Sequence, residues 1–243
     1  MGRTRVDVLL VARGLVESRA KARAAIEAGG VTADGCAVLK AADLVADDAV
    51  LVAIPAHPWV GRGALKLEHA LTIWPIAVEG RVVLDVGAST GGFTQVCLAA
   101  GARRVFAVDV GRGQLHASLA GDPRVVSLEA LDARDLTPAQ VLQAPSLVVC
   151  DVSFIGLAKA LPAALNLAAP GADLVALVKP QFEVGPDRVG KGGVVRDEVA
   201  RSEALAAVGG FVVSAGWTVM ATADSPIKGG DGNREYLLWA RKP

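Results

Sequence analysis

The sequence has the length and composition of an ordinary globular protein and carries no net charge. Of its 243 residues 52% are hydrophobic, and 25 basic residues balance 25 acidic ones. No apolar run is long enough to cross a bilayer, and arginines on both sides of the first apolar stretch argue against a signal peptide, so we expect a cytoplasmic protein that does not enter a membrane. Because the charge is balanced, any binding to nucleic acid has to rest on local clusters of basic residues.

The cysteines and histidines do not have the spacing of metal ligands. Cys36, Cys97 and Cys150 are odd in number, far apart and without a C-x-x-C pair, which also argues against a disulfide framework. We expect the three cysteines to be core residues. The histidines are scattered, and the sequence predicts no metal site.

The first 24 residues contain a local excess of basic side chains over two acidic ones, Asp7 and Glu17. The basic residues are Arg3, Arg5, Arg13, Arg19, Lys21 and Arg23. Ser18 is a candidate N-cap and Gly29 a candidate C-terminal stop, which together predict a short amphipathic helix with a basic face. Taken alone, such a charge run favours a solvated helix surface over a binding surface.

A hairpin follows this helix, since Asp34-Gly35 stands between two short alternating runs. The order of elements in RVDVLLVARGLVESRAKARAAIEAGGVTADG resembles the S4 RNA-binding domain, over roughly residues 3–53. The resemblance implies that the six basic residues contact the RNA backbone. Such contacts provide affinity and orientation but little sequence specificity.

The stretch AIPAHPWVGRG, with two prolines and two glycines, marks a domain boundary. We predict an RNA-binding domain over 1–57, a linker over 58–63 and a second domain over 64–243. In the second domain the valine-rich runs RVVLDVG, RRVFAVDVG, SLVVCDVSF and DLVALVKP alternate with stretches of helical character. This alternation predicts an α/β fold with a largely parallel, Rossmann-like sheet.

A glycine-rich turn after the first of these runs predicts a nucleoside site. In DVGASTGGF the backbone can approach a ligand closely, but Ser89 interrupts the G-x-G-x-x-G pattern and so weakens an NAD interpretation. Asp109 ends the next strand, where it could accept hydrogen bonds from ribose hydroxyls, and Asp132 could accept from an adenine amine. The pattern indicates a nucleotide or S-adenosylmethionine site.

Charged residues stand at four positions where the apolar pattern does not demand them. They are Lys66, Asp151, Lys179 and Glu235. Asp151 and Lys179 end two of the strands, and ligands of open α/β sheets bind at that edge. Four unrelated surface charges are the alternative.

A long glycine-rich segment, PQFEVGPDRVGKGGVVRD, follows Lys179 and contains Arg188 and Lys191. We interpret it as a lid that contacts RNA, with plain disorder as the alternative. Phe154 and Phe182 lie close in sequence to Asp151 and Lys179, and either could stack on a base.

Several motifs together resemble the TlyA family of ribosomal RNA 2'-O-methyltransferases, which are related to the FtsJ-like methyltransferases and also carry the name haemolysin. The motifs are GRGALKLEHAL, DVGASTGGFT, VDVGRGQL, DPRVV, CDVSFIGL, LVKPQFEVGPDRVGKGGVVRD and SPIKGGDGNREYLL. The resemblance implies a class I methyltransferase sheet behind an S4 domain, S-adenosylmethionine as cofactor, and methylation of a ribose 2'-hydroxyl, on cytidine, in ribosomal RNA.

The resemblance also implies roles for individual residues. The catalytic tetrad of the family is matched by Lys66, Asp151, Lys179 and Glu235. Lys179 would act as base or stabilise the alkoxide, and Asp151 and Glu235 would orient it. Lys66 would contribute positive charge to the electric field at the site and help to position the other groups. The implied S-adenosylmethionine site comprises Asp85, Gly87, Ala88, Ser89, Gly91, Gly92, Phe93, Asp109 and Asp132.

Two other classes of function stay open at this point. A non-catalytic RNA-binding or ribosome-assembly protein would keep the S4 surface without needing the tetrad. A membrane-active haemolysin would need a spanning or strongly amphipathic segment, and the sequence offers no clear candidate.

Overall fold

The computed structural model describes residues 2–243. The chain divides into two compact units, a smaller one that ends at Pro58 and a larger one over Trp59–Pro243.

The smaller unit contains two helices and two small antiparallel sheets. Its elements are β1 (Arg3–Arg5), α1 (Val6–Ala12), α2 (Arg19–Glu27), β2 (Val31–Ala33), β3 (Cys36–Ala37), β4 (Leu44–Ala46) and β5 (Leu51–Ala53). Strand β1 pairs with β4, and β2 lies between β3 and β5. Val6, Leu10, Ile26 and Val31 are buried between the helices and the sheet, so the unit has a core of its own.

Local sequence chemistry explains the boundaries of these elements. The Ser18 hydroxyl accepts a hydrogen bond from the Lys21 backbone N–H at 3.3 Å, which caps α2. Gly29 has φ +74° just after the end of α2. Asp34 and Gly35 both have positive φ, 49° and 79°, as a two-residue hairpin turn of type I' requires.

The prediction that all three cysteines are core residues is wrong for Cys36. Cys97 and Cys150 are buried, but Cys36 is exposed. It lies in the two-residue strand β3, where both residues are exposed, because β3 is at the edge of its sheet and outside the apolar core of the unit.

The larger unit is built on a seven-stranded sheet. Its strands are β6 (Val82–Val86), β7 (Arg104–Asp109), β8 (Val125–Glu129), β9 (Leu147–Cys150), β10 (Asp173–Val178), β11 (Thr218–Asp224) and β12 (Tyr236–Arg241), in the spatial order β11-β12-β10-β9-β6-β7-β8. Strands β6 to β10 are parallel, whereas β12 is antiparallel to β10 and β11 is antiparallel to β12. The predicted Rossmann-like α/β fold is confirmed.

Helices cover both faces of this sheet. They are α3 (Ala64–Ile73), α4 (Gly92–Ala99), α5 (Ala117–Ala120), α6 (Leu157–Ala160), α7 (Pro162–Leu167), α8 (Pro180–Glu183) and α9 (Glu198–Ser214), with 3-10 turns at Ala133–Asp135 and Pro186–Arg188. Leu84 and Val86 pack into one apolar layer, while Val83 packs into the other. Because alternate residues of a strand point to opposite faces, a sheet buried on both sides needs the continuous apolar runs seen in the sequence.

The strand order reverses between β6 and β9. From β6 the chain proceeds to β7 and β8 on one side, and it returns to β9 and β10 on the other. In open α/β sheets such a reversal leaves a crevice at the carboxyl ends of the strands, where ligands bind.

The residues predicted as a linker include several that pack on the larger unit. Trp59 and Val60 contact its apolar layer, and the Val60 N–H donates to the Gln95 side chain at 2.6 Å. No helix within residues 2–243 is both long enough and apolar enough to cross a membrane.

Candidate active site

Four charged side chains converge at the carboxyl edge of the sheet. Lys66 lies in the first turn of α3, and Asp151 directly follows β9. Lys179 follows β10 and occupies the position just before the first residue of α8, while Glu235 directly precedes β12. The four residues that the sequence singled out therefore come from separate elements and meet at one place.

Their side chains form a continuous chain of ion pairs. Lys66 Nζ lies 2.6 Å from Glu235 Oε2 and 3.8 Å from Asp151 Oδ2. Lys179 Nζ lies 2.5 Å from the other Asp151 oxygen. Two ammonium groups and two carboxylates thus alternate in space.

This alternation explains how the cluster can be buried. Lys66, Lys179 and Glu235 are all buried, and Asp151 is partly exposed. An isolated buried charge is very costly, whereas a paired and hydrogen-bonded one is tolerated. The cluster therefore holds its lysines at fixed positions.

Ser153 belongs to this cluster and was not predicted. The Lys179 ammonium donates a hydrogen bond to its hydroxyl at 2.9 Å. Ser153 stands two positions after Asp151 in CDVSF. A polar residue so soon after a strand end is a pattern that could have pointed to it.

A cavity of about 1190 Å³ opens beside the cluster, at the point where the strand order reverses. Predicted cofactor residues on its wall are Gly87, Ser89, Asp109 and Asp132, and Asp151 also lines it. Gly87 has φ +85°, and a Cβ there would lie 2.8 Å from the Asp151 carbonyl oxygen, so this turn requires glycine.

Asp109 joins the two loops on the wall of the cavity. One carboxylate oxygen accepts from the Ser89 N–H and the other from the Gly111 N–H, both at 2.7 Å. The carboxylate is thereby fixed between the glycine turn and the loop after β7. Its position suits it to accept hydrogen bonds from a diol, because each oxygen has a further lone pair.

Glu129, at the end of β8, holds the next part of the same loop. Its carboxylate accepts from the backbone N–H groups of Gly113 and Gln114 at 2.7 Å and of Leu115 at 3.0 Å. These bonds lower the pKa of Glu129 below its usual value. The sequence did not single out this residue, since its partners are main-chain atoms of a loop.

Five of the predicted cofactor residues are not among those that line the cavity and belong to β6, to the glycine turn or to the start of α4. They are Asp85, Ala88, Gly91, Gly92 and Phe93. Ala88 and Phe93 are buried. A Cβ on Gly91 would lie 2.3 Å from a Leu119 methyl carbon. The absence of a side chain at Gly91 therefore allows the start of α4 to pack closely against Leu119 of α5.

Asp85 is completely buried beneath the turn. One carboxyl oxygen accepts from the Thr94 hydroxyl at 2.6 Å, and the other has no hydrogen-bond partner among the described residues. Burial raises the pKa of this carboxyl to about 7.

Asp132 lines the cavity but already has a strong partner. Its carboxylate accepts from the Arg134 guanidinium at 2.6 and 3.0 Å and from the Arg134 backbone N–H at 2.9 Å. The pKa of Asp132 is lowered, mainly by the Arg134 side chain. Its remaining lone pairs are available for an exocyclic amine.

An aromatic pair, the exposed Phe154 and the partly buried Phe182, lines both this cavity and a smaller one. Phe154 is 92% exposed and adopts φ +66°, a backbone conformation that is strained for a residue with a side chain. Its ring centroid lies 5.2 Å from that of Phe182. Both rings also line the smaller cavity, of about 360 Å³, whose wall includes Lys66, Lys179 and Glu235.

The glycine-rich segment after α8 is anchored at several points. Arg188 pairs with Glu203 and Asp197 of the larger unit, and Lys191 is exposed. The buried Asn233 side chain accepts from the Val195 N–H at 2.9 Å and donates to the Gly193 carbonyl at 2.8 Å. Arg188 is thus held by carboxylates, whereas Lys191 is accessible.

The predicted RNA-binding residues of the smaller unit differ in their partners. Arg3 donates to the Leu44 carbonyl and Arg13 to the Ala49 carbonyl, so both brace the unit. Lys21 pairs with Glu17, and Arg23 is exposed. Arg5 and Arg19 both pair with Asp7.

Within the described part of the chain, no group of three or more His, Cys, Asp or Glu side chains is arranged to hold a metal ion. The lining of the two cavities offers a ligand hydrogen-bonding groups, charged side chains and aromatic rings.

Comparisons with known proteins match both units to families. Residues 59–242 match the FtsJ-like methyltransferase family, and residues 4–51 match the S4 domain. The chain is 50% identical to the 16S/23S rRNA (cytidine-2'-O)-methyltransferase TlyA of Mycobacterium tuberculosis, covering 98% of this chain and 90% of that one.

Two further relatives extend the comparison. Hemolysin A of Brachyspira hyodysenteriae is 38% identical, with 96% of this chain and 98% of that one covered. A solved structure from Streptococcus thermophilus is 41% identical and superposes with a TM-score of 0.78 over 100% of this chain and 89% of that one. The chain belongs to the TlyA family, in which an S4 domain precedes an FtsJ-like methyltransferase domain.

Proposed function

We propose that the protein is an S-adenosylmethionine-dependent methyltransferase that methylates the ribose 2'-hydroxyl of cytidine in ribosomal RNA. The observation that carries the proposal is the chain of ion pairs Glu235–Lys66–Asp151–Lys179 beside a cavity lined by the glycine turn and Asp109. The curated TlyA relative from M. tuberculosis is named for this reaction on 16S and 23S rRNA.

The residues around the larger cavity fit S-adenosylmethionine. Gly87 and Ser89 bring main chain to the cavity wall, Asp109 is placed for the ribose hydroxyls, and Asp132 for the adenine amine. We propose that Asp85, Ala88, Gly91, Gly92 and Phe93 act by shaping the turn. When bound, S-adenosylmethionine supplies a methyl group whose carbon a nucleophile can attack, because the group is bonded to a positively charged sulfonium sulfur.

Lys179 acts on the substrate hydroxyl. A ribose 2'-hydroxyl is a weak nucleophile, so the site has to stabilise negative charge on its oxygen or accept its proton. As an ammonium, Lys179 Nζ can stabilise the negative charge by donating a hydrogen bond, and as a neutral amine it can accept the proton. Ser153 and Asp151 hold this nitrogen at 2.9 and 2.5 Å, which fixes its direction.

Lys66 adds a second positive charge to the field around the hydroxyl oxygen. Glu235 holds Lys66 at 2.6 Å, and Asp151 contacts both lysines. Positioned charges of this kind stabilise charge development without reorganising during the reaction. The exposed ring of Phe154, beside Phe182, offers a surface on which the target base can stack.

We propose that the S4 unit supplies affinity for ribosomal RNA through its basic residues Arg3, Arg5, Arg13, Arg19, Lys21 and Arg23. Arg5, Arg19 and Arg23 are the best candidates for contacts to RNA, because Arg3 and Arg13 also hold the unit together through hydrogen bonds to backbone carbonyls. Arg188 and Lys191 contribute from the glycine-rich segment. Contacts to phosphates make binding dependent on salt and largely independent of sequence.

One experiment separates this function from a non-catalytic role in ribosome assembly. Full-length protein is incubated with ribosomal subunits that lack the modification and with S-adenosylmethionine labelled in its methyl group. We expect label on ribose 2'-oxygens of cytidine. Subunit binding without transfer, together with no calorimetric binding of the cofactor, would favour the assembly role.

The same preparation tests the haemolysin alternative. Release of dye from liposomes by the purified protein would support a membrane-active function, and we expect none at concentrations that methylate ribosomal subunits.

A further inference from the structure

Asp7 is a buried acid in the most basic part of the chain. Its side chain is 2% exposed and lies in the first turn of α1. It accepts hydrogen bonds from Arg5 Nε and Nη2, at 3.0 and 3.1 Å, and from Arg19 Nε and Nη2, at 3.1 and 2.8 Å. One carboxylate therefore holds two guanidinium groups, one before α1 and one at the start of α2.

The two guanidinium groups stay accessible from the other side. The side chains of Arg5 and Arg19 are 43% and 60% exposed. Each presents its Nε–Nη2 edge to Asp7, which leaves Nη1 outside that contact. The cluster of two cations and one anion keeps a net charge of +1.

Fixing the arginines in advance favours binding of an anion. A free arginine loses rotamer freedom when it binds, and this loss of entropy opposes binding. Asp7 has already restricted both side chains. The Arg5 guanidinium, followed by that of Arg19, holds the pKa of Asp7 at about 2, so the acid is ionised at any pH at which RNA is handled.

We propose that Asp7 is a positioning residue for RNA recognition, because it holds Arg5 and Arg19 as a preorganised pair that binds a backbone phosphate of the RNA. The proposal rests on the proposed function, in which this unit binds ribosomal RNA. According to this proposal an acidic residue, Asp7, increases the affinity of the protein for RNA, although RNA is itself negatively charged.

The direction of the effect makes the proposal testable. Asp7→Asn removes one negative charge, so net charge alone predicts tighter binding to RNA, whereas loss of the preorganised pair predicts weaker binding. We expect affinity of the full chain for a mixture of ribosomal subunits to fall about tenfold in Asp7→Asn. Binding as tight as in the native chain, or tighter, would overturn the proposal.

Glu17→Gln is the matched control. It also removes one negative charge from this unit, and Glu17 likewise pairs with a basic residue, Lys21, at 2.7 Å, but its side chain is 60% exposed. We expect unchanged or tighter binding. If Glu17→Gln and Asp7→Asn weaken binding equally, the special role of the buried carboxylate is refuted.

A second measurement keeps the proposal testable even if Asp7→Asn fails to fold. Because Arg5 and Arg19 share Asp7, the losses of affinity in Arg5→Ala and Arg19→Ala should be non-additive in the double variant. The pair Arg5→Ala and Arg23→Ala, whose residues lie before α1 and within α2, is the control and should be additive. Additive losses for Arg5 and Arg19 in folded variants would contradict the proposal.

These results also separate this proposal from the proposed function. If Arg5→Ala and Arg19→Ala leave binding to ribosomal subunits unchanged, the RNA-binding role of this surface fails, and Asp7 with it. If both substitutions weaken binding but Asp7→Asn does not, only the role of Asp7 fails.

Discussion

Lys179 Nζ lies 2.5 Å from a carboxylate oxygen of Asp151, and the two residues follow the neighbouring parallel strands β10 and β9. The register of these strands pairs Ala176 with Cys150, so both strands end at the same edge of the sheet. The contact at the centre of the proposed site is therefore a consequence of sheet topology.

Replacing Lys179 with methionine should abolish most activity and leave the fold intact. The substitution keeps the length and apolar stem of the side chain but removes the ammonium. We expect methyl transfer to fall at least about a hundredfold, with cofactor affinity from calorimetry nearly unchanged. Near-native transfer by a folded Lys179→Met variant would remove Lys179 from the mechanism.

Arginine at this position distinguishes the two roles of Lys179. Lys179→Arg keeps a positive charge but cannot act as a base, because a guanidinium does not lose its proton in proteins. Transfer partly restored relative to Lys179→Met in single-turnover kinetics would indicate stabilisation of the alkoxide. No restoration would favour proton acceptance.

Asp109 should determine much of the cofactor affinity. Asp109→Ala removes the proposed acceptor for the ribose hydroxyls, and we expect binding of S-adenosylmethionine to weaken by about 1–3 kcal/mol in calorimetry. Asp122→Ala is the control, since Asp122 pairs with Arg124 away from the cavity lining. Equal affinity in the two variants would mean that Asp109 only braces the loops.

The buried carboxyl of Asp85 should make stability depend on pH. Its pKa is raised from 3.8 to about 7 in the folded chain, so between these values the folded state retains a proton that the unfolded state loses. The free energy of unfolding should therefore fall as pH rises from about 4 to 7, by at most roughly 4 kcal/mol from this group.

Asp85→Asn isolates this effect. The amide is of similar size and cannot ionise, so the stability difference between variant and native chain should shift in favour of the variant as pH rises from 4 to 7. Chemical denaturation across this range measures the difference. A difference that is constant with pH would show that Asp85 does not titrate there.

Phe154 should be needed for activity and not for stability. Its ring is exposed and its φ is positive, so Phe154→Gly removes little buried surface and relieves backbone strain. We expect the free energy of unfolding of Phe154→Gly to lie within about 1 kcal/mol of the native value. Its kcat/KM should fall about 10- to 100-fold, the range for losing one stacked base. Phe154→Tyr, which keeps an aromatic ring, should retain most activity, and equal kcat/KM for both variants would exclude stacking.

The two units should separate in function. The unit from Trp59 onward has its own sheet and apolar layers, so removal of residues 1–58 should leave a folded domain that binds S-adenosylmethionine. Its transfer to ribosomal subunits should be poor, because the basic surface of the S4 unit is gone. Transfer equal to that of the full chain would show that this surface is dispensable.

The sheet and the positions of Asp151 and Lys179 could be predicted because they depend on short periodic runs whose ends are visible in the sequence. The clustering of Lys66 and Glu235 with them depends on how α3 and the loop before β12 pack, and only the resemblance to a family indicated it. The part played by Ser153 and the strained backbone of Phe154 depend on loop conformation, which no periodicity encodes. The burial of Asp85 and the pairing of Asp7 with two arginines likewise arise from tertiary packing.

The most direct test is to map 2'-O-methylation of ribosomal RNA in cells that carry the native gene, lack it, or express Lys179→Met at the same level. The account predicts at least one ribosomal cytidine that is methylated with the native gene and unmethylated in the other two strains. Identical methylation patterns in all three strains would contradict it.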